Sequence, residues 1–141
     1  RLIMSAIAYL DDWLSHHASE RPTDTAVVCS GGRLNYAQLE ERVDQCAARF
    51  VASGIESGDR VAMLACPGLE FWCSALAAMR VGAIWLGLNP RYRPAELAYL
   101  LSDSRPKLVL TIADFEGRDY AFEIQRLEGA PPDGYTVVTT D

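Results

Sequence analysis

The segment Met79 to Pro94, MRVGAIWLGLNPRYRP, leaves the chain few ways to fold. Gly82 follows an apolar helical pattern at the point where a helix C-terminus needs a residue tolerant of positive φ. Ala83 to Leu88 is an unbroken apolar run of strand length, the pattern of a parallel strand covered on both faces. Asn89-Pro90 stops that strand, because proline has no N–H to donate and restricts the residue before it. Helix, strand and a further helix opening at Pro94 thus follow one another with short links, as in an α/β sheet.

The alternation continues on both sides. A helix from Ser5 to Ala18 is expected to bury Leu10, Trp13 and Leu14. Read as a signal peptide, Arg1 to Leu10 fails, since the apolar spacing runs on through Asp11-Asp12. Thr25 to Ser30 reads as a strand, turning at Ser30-Gly31-Gly32-Arg33 into a short return strand at Arg33-Leu34. Asn35 and Gln38 have the form of a capping box for a helix from Tyr36 to Ser53, ended by Gly54. Strand Arg60 to Ala65 and helix Gly68 to Val81 come next. The apolar residues Leu69, Phe71, Trp72, Leu76 and Met79 cover more than one face of that helix and predict burial on most sides. Helix Pro94 to Ser102 and strand Lys107 to Ile112 complete the clear pattern. Beyond Asp114 the signal fades to a helix at Tyr120 to Leu127, a loop at Pro131 to Gly134 and a strand at Tyr135 to Thr139. The expected fold is a parallel α/β sheet with flanking helices and an N-terminal β-hairpin, one domain over residues 1–141 with no internal repeat.

Composition excludes several functions. The chain has 141 residues, half of them apolar, and a net charge of −6. That acidic balance, with no Lys/Arg cluster to neutralise phosphates, argues against nucleic acid as the main partner, and the single lysine, Lys107, opens a strand. No apolar run approaches the roughly 20 residues of a membrane span. Cys29, Cys46, Cys66 and Cys73 show neither a C-x-x-C pair nor zinc spacing, and are expected to be reduced, buried thiols of a cytoplasmic protein.

Chemistry is hard to find. His16 and His17 point about 100° apart on a helix and lack a third ligand, which makes a poor metal site. Gly54 and Gly58 precede a strand and lack the Lys-Ser/Thr of a phosphate loop, and no G-x-G-x-x-G follows the first strand. Asp59 reads as a turn residue and Asp103 as a helix-end residue. No catalytic or metal-ligating residue emerges. Arg91 is the one binding candidate: it follows the C-terminal end of a parallel strand, where ligands of open α/β sheets tend to sit. Either an anion or a neighbouring surface carboxylate would suit it.

The organising segment, "AMRVGAIWLGLNPRYRPAEL", resembles the block written "LxAGAxxxPLNPRxTPEEL" in the adenylate-forming acyl-CoA synthetases. The blocks "RPTDTAVVCSGGRLNYAQLEERV" (Arg21 to Val43), "GIESGDRVAML" (Gly54 to Leu64) and "LSDSRPKLVLT" (Leu101 to Thr111) agree in order and spacing. The resemblance implies the N-terminal part of that family's large domain. It implies an AMP-forming acid–thiol ligase that uses ATP and magnesium to make an acyl-adenylate from a carboxylic acid, then passes the acyl group to coenzyme A. It also implies that Arg91 faces the coenzyme A phosphates. The family's Ser/Thr/Gly-rich ATP loop, its magnesium-serving acidic residue and its C-terminal lysine have no counterpart between Arg1 and Asp141. The chain alone is therefore expected to bind no ATP and to be inactive. Arg93 departs from the Thr or Ser usual before the Pro; an arginine cannot accept the orphan helix N–H bonds, so a weaker helix start is expected.

Two hypotheses follow: the N-terminal portion of such a synthetase, or a free-standing truncated homologue acting as an interaction or structural domain. In either case the apolar run Gly68 to Leu88 exceeds what a chain this short readily covers, and self-association of the isolated chain is expected.

Overall fold

The computed structural model describes residues 10–29, 32–127 and 135–137. The elements are α1 (Leu10–Glu20), β1 (Thr25–Cys29), β2 (Gly32–Asn35), α2 (Tyr36–Ala52), β3 (Arg60–Leu64), α3 (Leu69–Val81), β4 (Ile84–Leu88), α4 (Pro94–Ser104), β5 (Leu108–Thr111), β6 (Asp114–Phe115), β7 (Arg118–Asp119), α5 (Tyr120–Arg126) and β8 (Tyr135–Val137). Strands β1 and β2 form the expected antiparallel hairpin, whose turn residues Ser30 and Gly31 lie outside the described set. The main sheet is parallel throughout, in the order β4-β3-β5-β8. Two short strands, β6 and β7, pair antiparallel beyond its C-terminal edge.

Local signals set most boundaries. Asn35 Oδ1 accepts the Gln38 N–H at 2.8 Å, and Gln38 Oε1 accepts the Asn35 N–H at 3.0 Å, a complete capping box for α2. Gly82 ends α3 in the left-handed region at φ 79°, its N–H returning to the Met79 carbonyl at 3.0 Å. At α4 the exchange is one-sided. Glu96 accepts the Arg93 N–H at 2.8 Å, while the Arg93 guanidinium donates to the same carboxylate instead of accepting from the helix. A glutamate three residues in thus compensates for the missing cap acceptor.

The pleat assigns each residue of the sheet to a face. Register places Val61, Met63, Trp85, Gly87, Leu108 and Leu110 together, on the side where Ser74 of α3 reaches Met63 and Trp85. On the opposite side Ala62, Leu64, Val109 and Thr111 are also buried, and right-handed crossovers put α4 and α5, with their buried Leu97, Leu101, Tyr120 and Ile124, over this side. Helix α2 packs along α3. Arg80 ties the layer together, reaching Glu40 at 2.9 Å, Asp44 at 2.6 Å and Ser15 of α1 at 3.3 Å.

Three expectations need correction. β4 is an edge strand among the described residues and is not covered on both faces as expected: Ile84 is exposed and Trp85 half-buried, whereas β3 and β5 are the strands buried on both faces. A continuous apolar run marks a strand as apolar, but cannot say whether a neighbour lies on each side of it. In α3 the consecutive residues Cys73 to Ala78 are all buried, so the helix is covered on most sides as expected, but Trp72 and Met79 stay exposed. Of the three residues expected to be buried in α1, Leu14 is buried, while Leu10 and Trp13 are exposed. The helix also runs two residues further than expected, to Glu20, with the part before Leu10 outside the described residues.

Candidate functional site

The C-terminal ends of β3 and β4 open into a cleft of about 280 Å³. Its walls include Cys66 and Pro67 after β3, Phe71 of α3, Gly87 of β4, and Arg91 with Tyr92 in the following loop. Asn89 shapes that loop: its Oδ1 accepts the Arg91 N–H at 2.8 Å and its carbonyl accepts the Tyr92 N–H at 3.0 Å. The turn projects the Arg91 side chain outward, 68% exposed at the mouth of the cleft.

The loop is clamped from beneath. Tyr120, fully buried at the start of α5, donates its hydroxyl to the Pro90 carbonyl. Arg118 Nη1 donates to the carbonyls of Pro90 at 3.2 Å and Tyr92 at 2.7 Å. The remaining face of that guanidinium forms a two-pronged pair with Glu123, at 3.1 and 2.6 Å. It also lies 4.7 Å over the Tyr120 ring. Burial pushes the Tyr120 hydroxyl above its usual range, which keeps it a proton donor.

Sequence reasoning missed Glu116, Arg118 and Tyr120, because the signal beyond Asp114 is weak. A cue was present: Glu116-Gly117 between Phe115 and Arg118 has the form of a two-residue hairpin turn. Glu116 Oε1 accepts from Arg91 Nη2 at 2.7 Å, and the Arg91 guanidinium lies 5.5 Å from the Phe115 ring. This pair holds Arg91 above its usual pKa and Glu116 below the usual carboxylate value.

The other candidates lie elsewhere. Asp59 is a turn residue at the opposite, N-terminal end of the sheet, accepting the Glu56 N–H at 2.8 Å and pairing with Lys107 at 2.7 Å. Asp103 is exposed in the last turn of α4. His17 meets Trp13 edge-on and Tyr36 at a tilt; loss of water contact, then the Arg21 guanidinium, hold it below the usual imidazole range. Among the described residues no group of three or more His, Cys, Asp or Glu converges on a metal position. The four thiols are free, but not all are buried: Cys73 is, Cys29 and Cys46 are partly covered, and Cys66 is exposed. Burial pushes the Cys46 thiol up to about 11 and Cys73 up to about 12, so neither is a ready thiolate. The cleft can therefore bind an anion through Arg91 and pack an apolar or planar group, but it assembles no acid–base or nucleophile pair.

A family model described as AMP-binding enzyme matches residues 14–141. The chain belongs to the AMP-binding enzyme family. Among solved structures, the N-terminal domain of FACL13 from Mycobacterium tuberculosis superposes with a TM-score of 0.82 at 28% identity, over 92% of this chain and 33% of that one. A Mycobacterium tuberculosis fatty acyl CoA synthetase superposes with a TM-score of 0.81 at 30% identity, over 92% of this chain and 26% of that one. Curated relatives include two kinds of protein. Tyrocidine synthase 3 of Brevibacillus parabrevis is 38% identical over 70% of this chain and 2% of its own length. Long-chain-fatty-acid--CoA ligase FadD13 of Mycobacterium tuberculosis is also 38% identical, over 55% of this chain and 16% of its own. The AMP-binding chain described here thus spans a small part of these relatives. Among its described residues no helix is long and apolar enough to cross a membrane.

Proposed function

We propose that this chain is the N-terminal portion of an AMP-forming acyl-CoA synthetase, a single partial domain over residues 1–141. The complete enzyme joins a carboxylic acid to ATP, with magnesium, to form an acyl-adenylate, then transfers the acyl group to coenzyme A. Likeness to FadD13 supports a fatty acid as the carboxylic acid, and the reaction is assigned to the cytoplasm. Arg91 carries the reading: an exposed guanidinium at the C-terminal ends of parallel strands, held at a cleft mouth by a clamped loop, suits a phosphate of coenzyme A. The chain alone binds no ATP and is inactive on this reading, because the Ser/Thr/Gly-rich loop, the magnesium-serving acidic residue and the C-terminal lysine that the resemblance implies have no counterpart in its sequence.

A second reading is favoured by the match to tyrocidine synthase 3, which covers more of this chain than the FadD13 match does. On that reading the adenylate goes to a different thiol. Product analysis separates the two. The full-length enzyme, given a fatty acid, magnesium and ATP, should release an acyl-CoA thioester when coenzyme A is added. Adenylate that accumulates unchanged in the presence of coenzyme A would overturn the synthetase assignment.

A further inference from the structure

Glu116 stands where local propensity disfavours it. The β6–β7 hairpin turns through Glu116 and Gly117 at φ 50° and 83°, with Phe115 paired to Arg118. Two consecutive positive φ angles in a two-residue loop make a type I′ turn, whose first position favours Asn, Asp or Gly. A glutamate there holds an ordinary side chain in the left-handed region, at a cost that some other interaction must offset. The ion pair with Arg91 provides one: glutamate has the charge that asparagine lacks and one more methylene of reach than either asparagine or aspartate, and its carboxylate meets the guanidinium at 2.7 Å.

Resting on the coenzyme A role proposed for Arg91, we propose that Glu116 is a built-in counter-ion that an incoming phosphate must displace. It is a positioning residue, setting both where the guanidinium waits and which anions can take it. The two residues stay within reach of each other, because Arg118 and Tyr120 fasten the hairpin side of the site to the Pro90–Tyr92 loop. Both partners are more than half exposed, 68% and 58%, so water screens the pair and it opens readily. A phosphate dianion brings more charge than the carboxylate it displaces and can bind the guanidinium fork in two places. A singly charged carboxylate gains little by the same exchange. Glu116 therefore favours phosphate-bearing thiols over the free carboxylic acids that share the solution.

A double-mutant cycle in the full-length enzyme tests this. KM for coenzyme A is measured for wild type, Glu116→Gln, Arg91→Ala and the double variant, with acid-dependent ATP–pyrophosphate exchange as the step that involves no coenzyme A. Glu116→Gln should lower KM for coenzyme A roughly two- to fivefold relative to wild type. The gain should vanish in the Arg91→Ala background. Glu116→Asn, which suits the turn, should also lower KM and decides the matter if the Gln variant folds poorly. An unchanged or raised KM in the Glu116 variants overturns the counter-ion role, as does a decrease of equal size without Arg91, or a parallel fall in exchange. An Arg91→Ala enzyme with wild-type KM for coenzyme A overturns the Arg91 reading as well.

Discussion

Trp85 lays its indole across the α-carbon of Gly87, two positions further along the same face of β4. A Cβ on Gly87 would lie 2.8 Å from Trp85 Cη2 and 2.9 Å from Phe71 Cζ. The ring cannot easily retreat, because its Nε1 donates to Ser74 Oγ at 3.2 Å and Phe71 meets it edge-on at a centroid distance of 4.6 Å. Gly87→Ala should therefore act as overpacking and destabilise by about 1–3 kcal/mol. A denaturant midpoint equal to wild type would show that the ring is free to move. Trp85→Ala, at a half-buried edge position, should cost about 2 kcal/mol, less than the 3–5 of a fully buried aromatic.

The local devices were legible in the sequence and the long-range ones were not. Asn35 with Gln38, and Gly82 after Val81, act within a few residues, so their chemistry can be read in place. Where β4 lies in the sheet depends on which strands pair with it, and no spacing within Ala83 to Leu88 encodes that. Arg91 was legible as a candidate because strand ends are where such sheets bind ligands. Its setting was not: Glu116, Arg118 and Tyr120 reach the loop across 25 to 30 residues of intervening chain. Cysteine burial misled for a related reason. Cys66 is apolar enough for a core, but falls just past the end of β3, where the cleft opens.

Tyr120→Phe isolates one strut of the clamp. The ring remains buried while the hydroxyl donor to the Pro90 carbonyl is lost, and Arg118 still serves that oxygen. A loss of about 1 kcal/mol is expected, with KM for coenzyme A rising as the loop loosens. Unchanged stability and KM together would show that Arg118 holds the loop alone.

Asp59 gives the N-terminal edge of the sheet a pH signature. The Lys107 hydrogen bond, and next the Glu56 N–H, hold its carboxyl below the usual carboxylate range. A carboxyl depressed on folding stabilises at pH values above its unfolded pKa, and that contribution is lost as pH falls through the lower folded value. Asp59→Asn should lower the denaturant midpoint near neutrality, and the gap from wild type should close on acidification through that range. A gap independent of pH would assign the loss to packing.

Self-association of the isolated chain is expected from what it leaves uncovered. β4 has no outer neighbour among the described residues, Ile84 on it is 55% exposed, and Trp72 and Met79 of α3 face solvent. Apolar surface beside an open strand edge favours dimers or larger species. Sedimentation should show mass rising with concentration. A strict monomer at high micromolar concentration would favour the free-standing interaction domain over the synthetase fragment.

The most direct measurement compares the two half-reactions of the full-length enzyme carrying Arg91→Ala. If Arg91 meets a coenzyme A phosphate, acid-dependent ATP–pyrophosphate exchange should stay near wild type. KM for coenzyme A should then rise roughly tenfold or more, the usual consequence of losing a charge-assisted contact. An equal loss in both half-reactions would contradict the account and make Arg91 a residue that holds the loop together.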